Sequence, residues 1–205
     1  MEFDDVLRRR KMVRTFLAEP VDSEVVRRIL EAGHRAPSAG FSQGFAFLLF
    51  EGQEEVAGFW AAVSPDGGWP TEGIKGAPVI VVPLAGKRVY LERYAEQDKG
   101  WTDQDEARWP VPYWQVDTAF ASMLILLAAV NEGLGAVFFG LDQGGYDRLR
   151  AAFDVPQGWD AIGVIAIGHQ APVDPVKSSR DTRPRKPLDE VVHRGRWERH
   201  WDKLT

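Results

Sequence analysis

Five cations fall within the seven positions of "RRRKMVR", Arg8 to Arg14, in a chain whose formal net charge is −5. Such a knot is either the polar end of a helix or the seat of an anion. With an acidic balance elsewhere the anion would be small, because binding a nucleic-acid backbone needs a broad basic face. A second basic pair, Arg183 and Arg185, lies in "RPR" near the other end. Two arginines separated by one residue of extended chain point to the same side and can grip one phosphate with charge-assisted forks. The two clusters are therefore expected to converge on a single phosphate.

Other chemistries find little support. The chain has no cysteine, which excludes disulfides, thiolate metal sites and a cysteine nucleophile. His34, His169, His193 and His200 have no ligand spacing, and the acidic run "EQDKGWTDQDEARW" has no loop-ligand pattern, so no metal is expected. "GLGAVFFG" (Gly133–Gly140) lacks the G-x-G-x-x-G spacing and follows a helix instead of opening one, which argues against a dinucleotide fingerprint. "APSAG" has Ala36 where a nucleophile elbow needs its first glycine, so Ser38 is not read as a nucleophile. Trp101, Trp109, Tyr113 and Trp114 share one proline-studded tract. They either pack under a long loop or line a flat aromatic site.

These groups need elements to hold them. Phe3, Val6 and Leu7 have helical spacing, and "DSEVVRRILEAGHRAP" reads as a second helix capped at Asp22 and Ser23 and ended before Pro37. Strands are expected at Phe45–Glu51, Ala77–Ala85, Ala136–Phe139 and Ala161–Gly168, with helices at Gln53–Val63 and near Tyr146–Phe153. "QVDTAFASMLILLAAVNEGLG" reads as a helix closed by Gly133 and apolar almost all round from Ala119 to Val130. A helix of that kind is buried on every side, in a core or a subunit interface, which points to a homodimer. Pro110 and Pro112 are expected to keep "WPVPYW" out of helix and central strand. At 205 residues the chain suits one domain, 1–205, of α+β class, with helices covering a sheet. "MEFDDVLRRR" lacks the order of a signal peptide and any long apolar run, so the expectation is a cytoplasmic protein with neither membrane nor nucleic acid as partner.

Four stretches in this order, "RKMVRTF", "APSAGFSQGF", "DTAFASMLILLAAVNEGLGAVFFG" and "RPRKPLDEVV", resemble the nitroreductase-like family of flavin-dependent oxidoreductases. The resemblance implies a mostly antiparallel central sheet, a long buried central helix and an intertwined homodimer with FMN at its interface. It further implies reduction by NADH or NADPH and reoxidation by small nitroaromatic, quinone or similar conjugated acceptors in a two-step cycle. Carried over residue by residue, the cofactor-binding set is Arg10, Lys11, Met12, Arg14, Pro37, Ser38, Ala39, Phe41, Phe139, Gly140, Arg183 and Arg185. Within it Arg10, Met12 and Arg14 match contacts to the phosphate, ribityl chain and ring edge, and Pro37 to Ala39 match the loop along the isoalloxazine. Phe139 and Gly140 match the backbone facing the reactive nitrogen edge. Trp109, Tyr113 and Trp114 are the expected substrate-binding residues. No catalytic side chain is expected, since a flavin carries its own chemistry and the protein binds, orients and tunes it. Met12 stands where serine is common and Phe41 where asparagine is common. The family also holds members that store a flavin and members that oxidise specialised metabolites, the two rival readings.

Overall fold

The computed structural model describes residues 1–67, 70–173 and 182–200. The chain forms two compact units, Met1–Asp174 and Pro175–Thr205. Within the first, α1 (Phe3–Arg9) and α2 (Ser23–His34) precede β1 (Phe45–Glu51), α3 (Gly52–Val63), α4 (Glu72–Lys75), β2 (Val79–Gly86) and α5 (Lys87–Ala95). Then come α6 (Tyr113–Asn131), β3 (Gly135–Phe139), α7 (Gln143–Ala152), β4 (Trp159–Ala161) and β5 (Val164–Gly168). The Asp22 carboxylate caps α2, accepting from the Glu24 amide at 2.7 Å.

The strands lie in the order β1-β2-β5-β3, with β4 also on β2, and every pairing is antiparallel. Alternation along β2 explains the layering. Ile80, Val82 and Leu84 pack with Phe59, Trp60 and Val63 of α3, while Val79 and Val81 pack with Val26 and Ile29 of α2 and Ile125, Leu126 and Ala129 of α6. Both faces are covered, so β2 is buried along its whole length.

Several expectations are corrected. Tyr113 and Trp114 are the first turn of α6 with Pro112 at its N-cap, because a proline at a helix start forfeits no intrahelical bond. The apolar run Ala161–Gly168 is two strands, parted at Ile162 and Gly163. Helix α5 had no sequence signal, since Tyr90 is its only buried residue. Helix α6 ends before Gly133, which takes a φ of 81° as foreseen, and its length and composition alone would let it cross a bilayer. Within one chain it is covered on one side, which leaves the other for a subunit interface. Its inner face rests on the sheet and α2, whereas Phe120 and Met123 on the outer face are 48% and 43% exposed. In the second unit α8 spans Leu188–Val191, and His193 and His200, widely spaced in sequence, have ring centroids 5.3 Å apart.

Candidate flavin site

The basic motif leaves α1 at Arg9 and reaches the outer edge of β3, where Met12 forms a bridge to Ala136 and the Val13 amide donates to the Ala136 carbonyl at 3.0 Å. Arg9 and Lys11 line a cavity of about 400 Å³ with Val13, Val130 and Gly135 at the C-terminal end of α6. Arg8 pairs with Asp5 at 2.5 Å, and Arg14 donates to the Met12 carbonyl at 3.2 Å. Arg10 is partly buried and its guanidinium has no side-chain partner among the described residues. A partly desolvated cation without a counter-charge fits an incoming anion. Further along β3, Phe139 is 9% exposed and its ring lies 6.2 Å from that of Trp60, so its side chain belongs to the core.

The loop Pro37–Phe41 stands elsewhere. The Ala39 amide donates to Asp117 Oδ2 at 2.8 Å, near the N-terminal end of α6, and Arg93 Nε donates to the Gly40 carbonyl at 3.0 Å. Inside the loop Gln43 N–H donates to Ser38 Oγ at 2.9 Å and Ser42 Oγ donates to the Ala39 carbonyl at 2.6 Å. Gly40, Phe41 and Gln43 have φ of 62°, 54° and 53°. Only the first is a glycine, so the loop stores backbone strain that its anchors must hold. Phe41 projects from it at 73% exposure.

Two rulers measure the gap between these halves. The loop leads into β1, and β1 is separated from the Met12 segment by β2, β5 and β3, four inter-strand spacings or roughly 19 Å. Along α6, Asp117 anchors the loop and Asn131 accepts from the Met1 amine; fourteen residues of helix is roughly 21 Å. One chain therefore does not bring Arg10, Met12 and Arg14 together with Pro37, Ser38 and Ala39. Arg183 and Arg185 are exposed and belong to the second unit.

The aromatic tract packs on itself beside the loop. Trp109 has five ring neighbours, Tyr94 at 4.5 Å, Trp101 at 5.5 Å and Tyr90, Tyr113 and Trp114 each at 6.0 Å. Trp114 is 6% exposed, and Tyr113 is 41% exposed. A Cβ on Gly40 would meet the Tyr94 ring at 2.6 Å, so the tract abuts the loop without a gap. Asp117 and Tyr90, which the sequence reading did not single out, sit between them. The Tyr90 hydroxyl donates to the same Asp117 Oδ2 at 2.8 Å. Burial, then that bond to the carboxylate, pushes the Tyr90 phenol well above its ordinary 10.0. A polar residue amid the apolar run of α6 was the available signal. Among the described residues no cluster of three or more His, Asp or Glu could hold a metal.

The model of the nitroreductase family matches residues 7–169, most of the chain and nearly all of the first unit. The chain belongs to the nitroreductase family. An "NADPH-dependent oxidoreductase" of Staphylococcus aureus (strain bovine RF122 / ET3-1) is 26% identical over 204 residues, 98% of this chain and 75% of that protein. Nitroreductase CinD from Lactococcus lactis, solved in complex with 4-nitrophenol, superposes with a TM-score of 0.69 at 21% identity, covering 89% of this chain and 97% of its own. An FMN-dependent nitroreductase from Clostridium difficile R20291 gives a TM-score of 0.66 at 20% identity, covering 94% and 98%. The nitroreductase fold, with its antiparallel sheet between helical layers, is thus the fold of this chain.

Proposed function

We propose that this nitroreductase is a homodimeric FMN enzyme that takes reducing equivalents from NADH or NADPH and passes them to nitroaromatic, quinone or related conjugated acceptors by a ping-pong cycle. The observation that carries the reading is the division of the site. The basic half and the loop half stand at opposite ends of α6, and the outer face between them is apolar where Phe120 and Met123 are exposed. A second copy laid across that face removes the apolar patch from water and brings its loop to the first copy's basic half. Each dimer then holds two complete sites.

FMN, when bound, supplies the redox chemistry. Arg10, with Lys11 and Arg14 in the same basic half, would neutralise its phosphate and the pyrimidine end of its ring. Met12 would offer the ribityl chain a thioether in place of a hydroxyl. The backbone at Phe139 and Gly140 would lie at the nitrogen edge. Pro37, Ser38 and Ala39 of the second copy would lie along the ring. Phe41 there presents an aromatic surface in place of an amide. Cations at the pyrimidine end favour the anionic reduced form, and fixed backbone dipoles need no reorganisation as charge develops. Tyr113, with Trp109 and Trp114 behind it, would offer a planar acceptor an aromatic neighbour.

The test is spectroscopic. Purified protein should show flavin absorbance, lose it anaerobically within seconds of adding NADH or NADPH, and regain it with a nitroaromatic or a quinone. A protein that stays yellow is a flavin store, and a flavin-loaded species of 23.0 kDa by light scattering would overturn the dimer.

A further inference from the structure

We propose that Asp117 is a positioning residue: by holding the Ala39 amide it fixes the strained loop Pro37–Phe41 and thereby sets which acceptors the enzyme prefers. The inference rests on the FMN reading above. Asp117 is 3% exposed on the inner face of an apolar helix. A carboxylate there is costly to bury unless its oxygens are hydrogen-bonded, and a hydrocarbon side chain would serve helix packing better. Its bonds show what the carboxylate serves. Oδ2 accepts from the Ala39 amide and from the Tyr90 hydroxyl, each at 2.8 Å, so a single oxygen ties the loop to the aromatic tract. Tyr90 is fully buried, and its ring is 6.0 Å from that of Trp109, which in turn neighbours Tyr113.

The residue so pinned immediately precedes the left-handed pair Gly40 and Phe41. Strained backbone persists only where its surroundings over-determine it. Arg93 holds the Gly40 carbonyl, its guanidinium itself fixed by Asp98 at 2.7 and 2.8 Å. Weakening the Asp117 bond loosens one of these two clamps, lets the loop relax, and moves the exposed Phe41 ring. An acceptor stacked beside that ring would feel the shift, and acceptors of different shape would feel it differently.

Asp117→Asn keeps the size of the side chain and an acceptor oxygen but, without the charge, weakens both bonds, whereas Tyr90→Phe keeps the ring in the core and removes only the second donor. Two readouts separate positioning from plain stability. Hydrogen exchange at the Ala39 amide, measured in flavin-free protein, should be about tenfold faster in Asp117→Asn, since local opening governs it. The ratio of kcat/KM for p-nitrobenzoate to that for 1,4-benzoquinone is independent of how much enzyme is folded or loaded. It should change on the order of tenfold, within the loss that an ångström of misplacement brings, and Tyr90→Phe should change it less and in the same direction. If Asp117→Asn does not fold, Tyr90→Phe decides alone. A wild type that takes up no FMN overturns the parent reading and this inference together. A wild type that turns over, with variants that lose melting temperature but keep its Ala39 protection and acceptor ratio, overturns this inference alone.

Discussion

Arg10 has no side-chain partner among the described residues, and that isolation makes its contribution measurable. Replacing Arg10 with Ala removes a charge-assisted hydrogen bond to phosphate, typically about 1.5–3 kcal/mol, so FMN affinity measured by fluorescence quenching should fall roughly 10- to 150-fold. Retention of full flavin by that variant would remove Arg10 from the site. Tyr90 gives a pH test. Its phenol is held above its unfolded value of 10.0 by burial and by Asp117, so the folded state keeps its proton after the unfolded chain has lost it. The stability this provides is complete below pH 10 and declines as pH rises towards the folded value. Unfolding free energies from urea titrations above pH 10 should therefore fall more steeply in wild type than in Tyr90→Phe, by about 1.4 kcal/mol per pH unit for one proton. The basic motif was legible from charge density alone, because cations cluster visibly along a chain. Asp117 was not, since a lone acid in an apolar run reads as a blemish until its partner Ala39, 78 residues away, is in view.

Strands β1 and β3 were legible nearly to the residue, because each is an unbroken apolar run bounded by polar or glycine residues. The proline pair before α6 is ambiguous in sequence: its rigidity argues against a helix, whereas Pro112 supplies the start of one. The aromatic tract resolves by the same logic. Trp109 is enclosed by five rings, while Tyr113 faces outward. Trp109→Ala should thus lower stability by roughly 3 kcal/mol, the usual cost of truncating a packed tryptophan, seen as a lower urea midpoint. Tyr113→Ala should leave the midpoint nearly unchanged and alter KM across a series of nitroaromatics and quinones. The reverse pattern would make Tyr113 the packing residue and Trp109 the one that meets the acceptor.

The gap of roughly 19 Å across the sheet between the basic edge and the loop has a genetic consequence. Under the proposed two-fold arrangement each site draws one half from each copy, so two differently crippled chains can repair one another. Let one chain carry Arg10→Ala and the other a disrupted loop, Gly40→Val, whose branched side chain would collide with Tyr94. Neither homodimer has an intact site. A mixed dimer has one site in which both halves are damaged and one in which both are sound. If the two chains are unfolded together in equal amounts and refolded, half of the dimers are mixed, and about a quarter of all sites should bind FMN with wild-type affinity. Two chromosomal alleles, each impaired alone, would complement in the same cell, which a site contained within one chain would never allow.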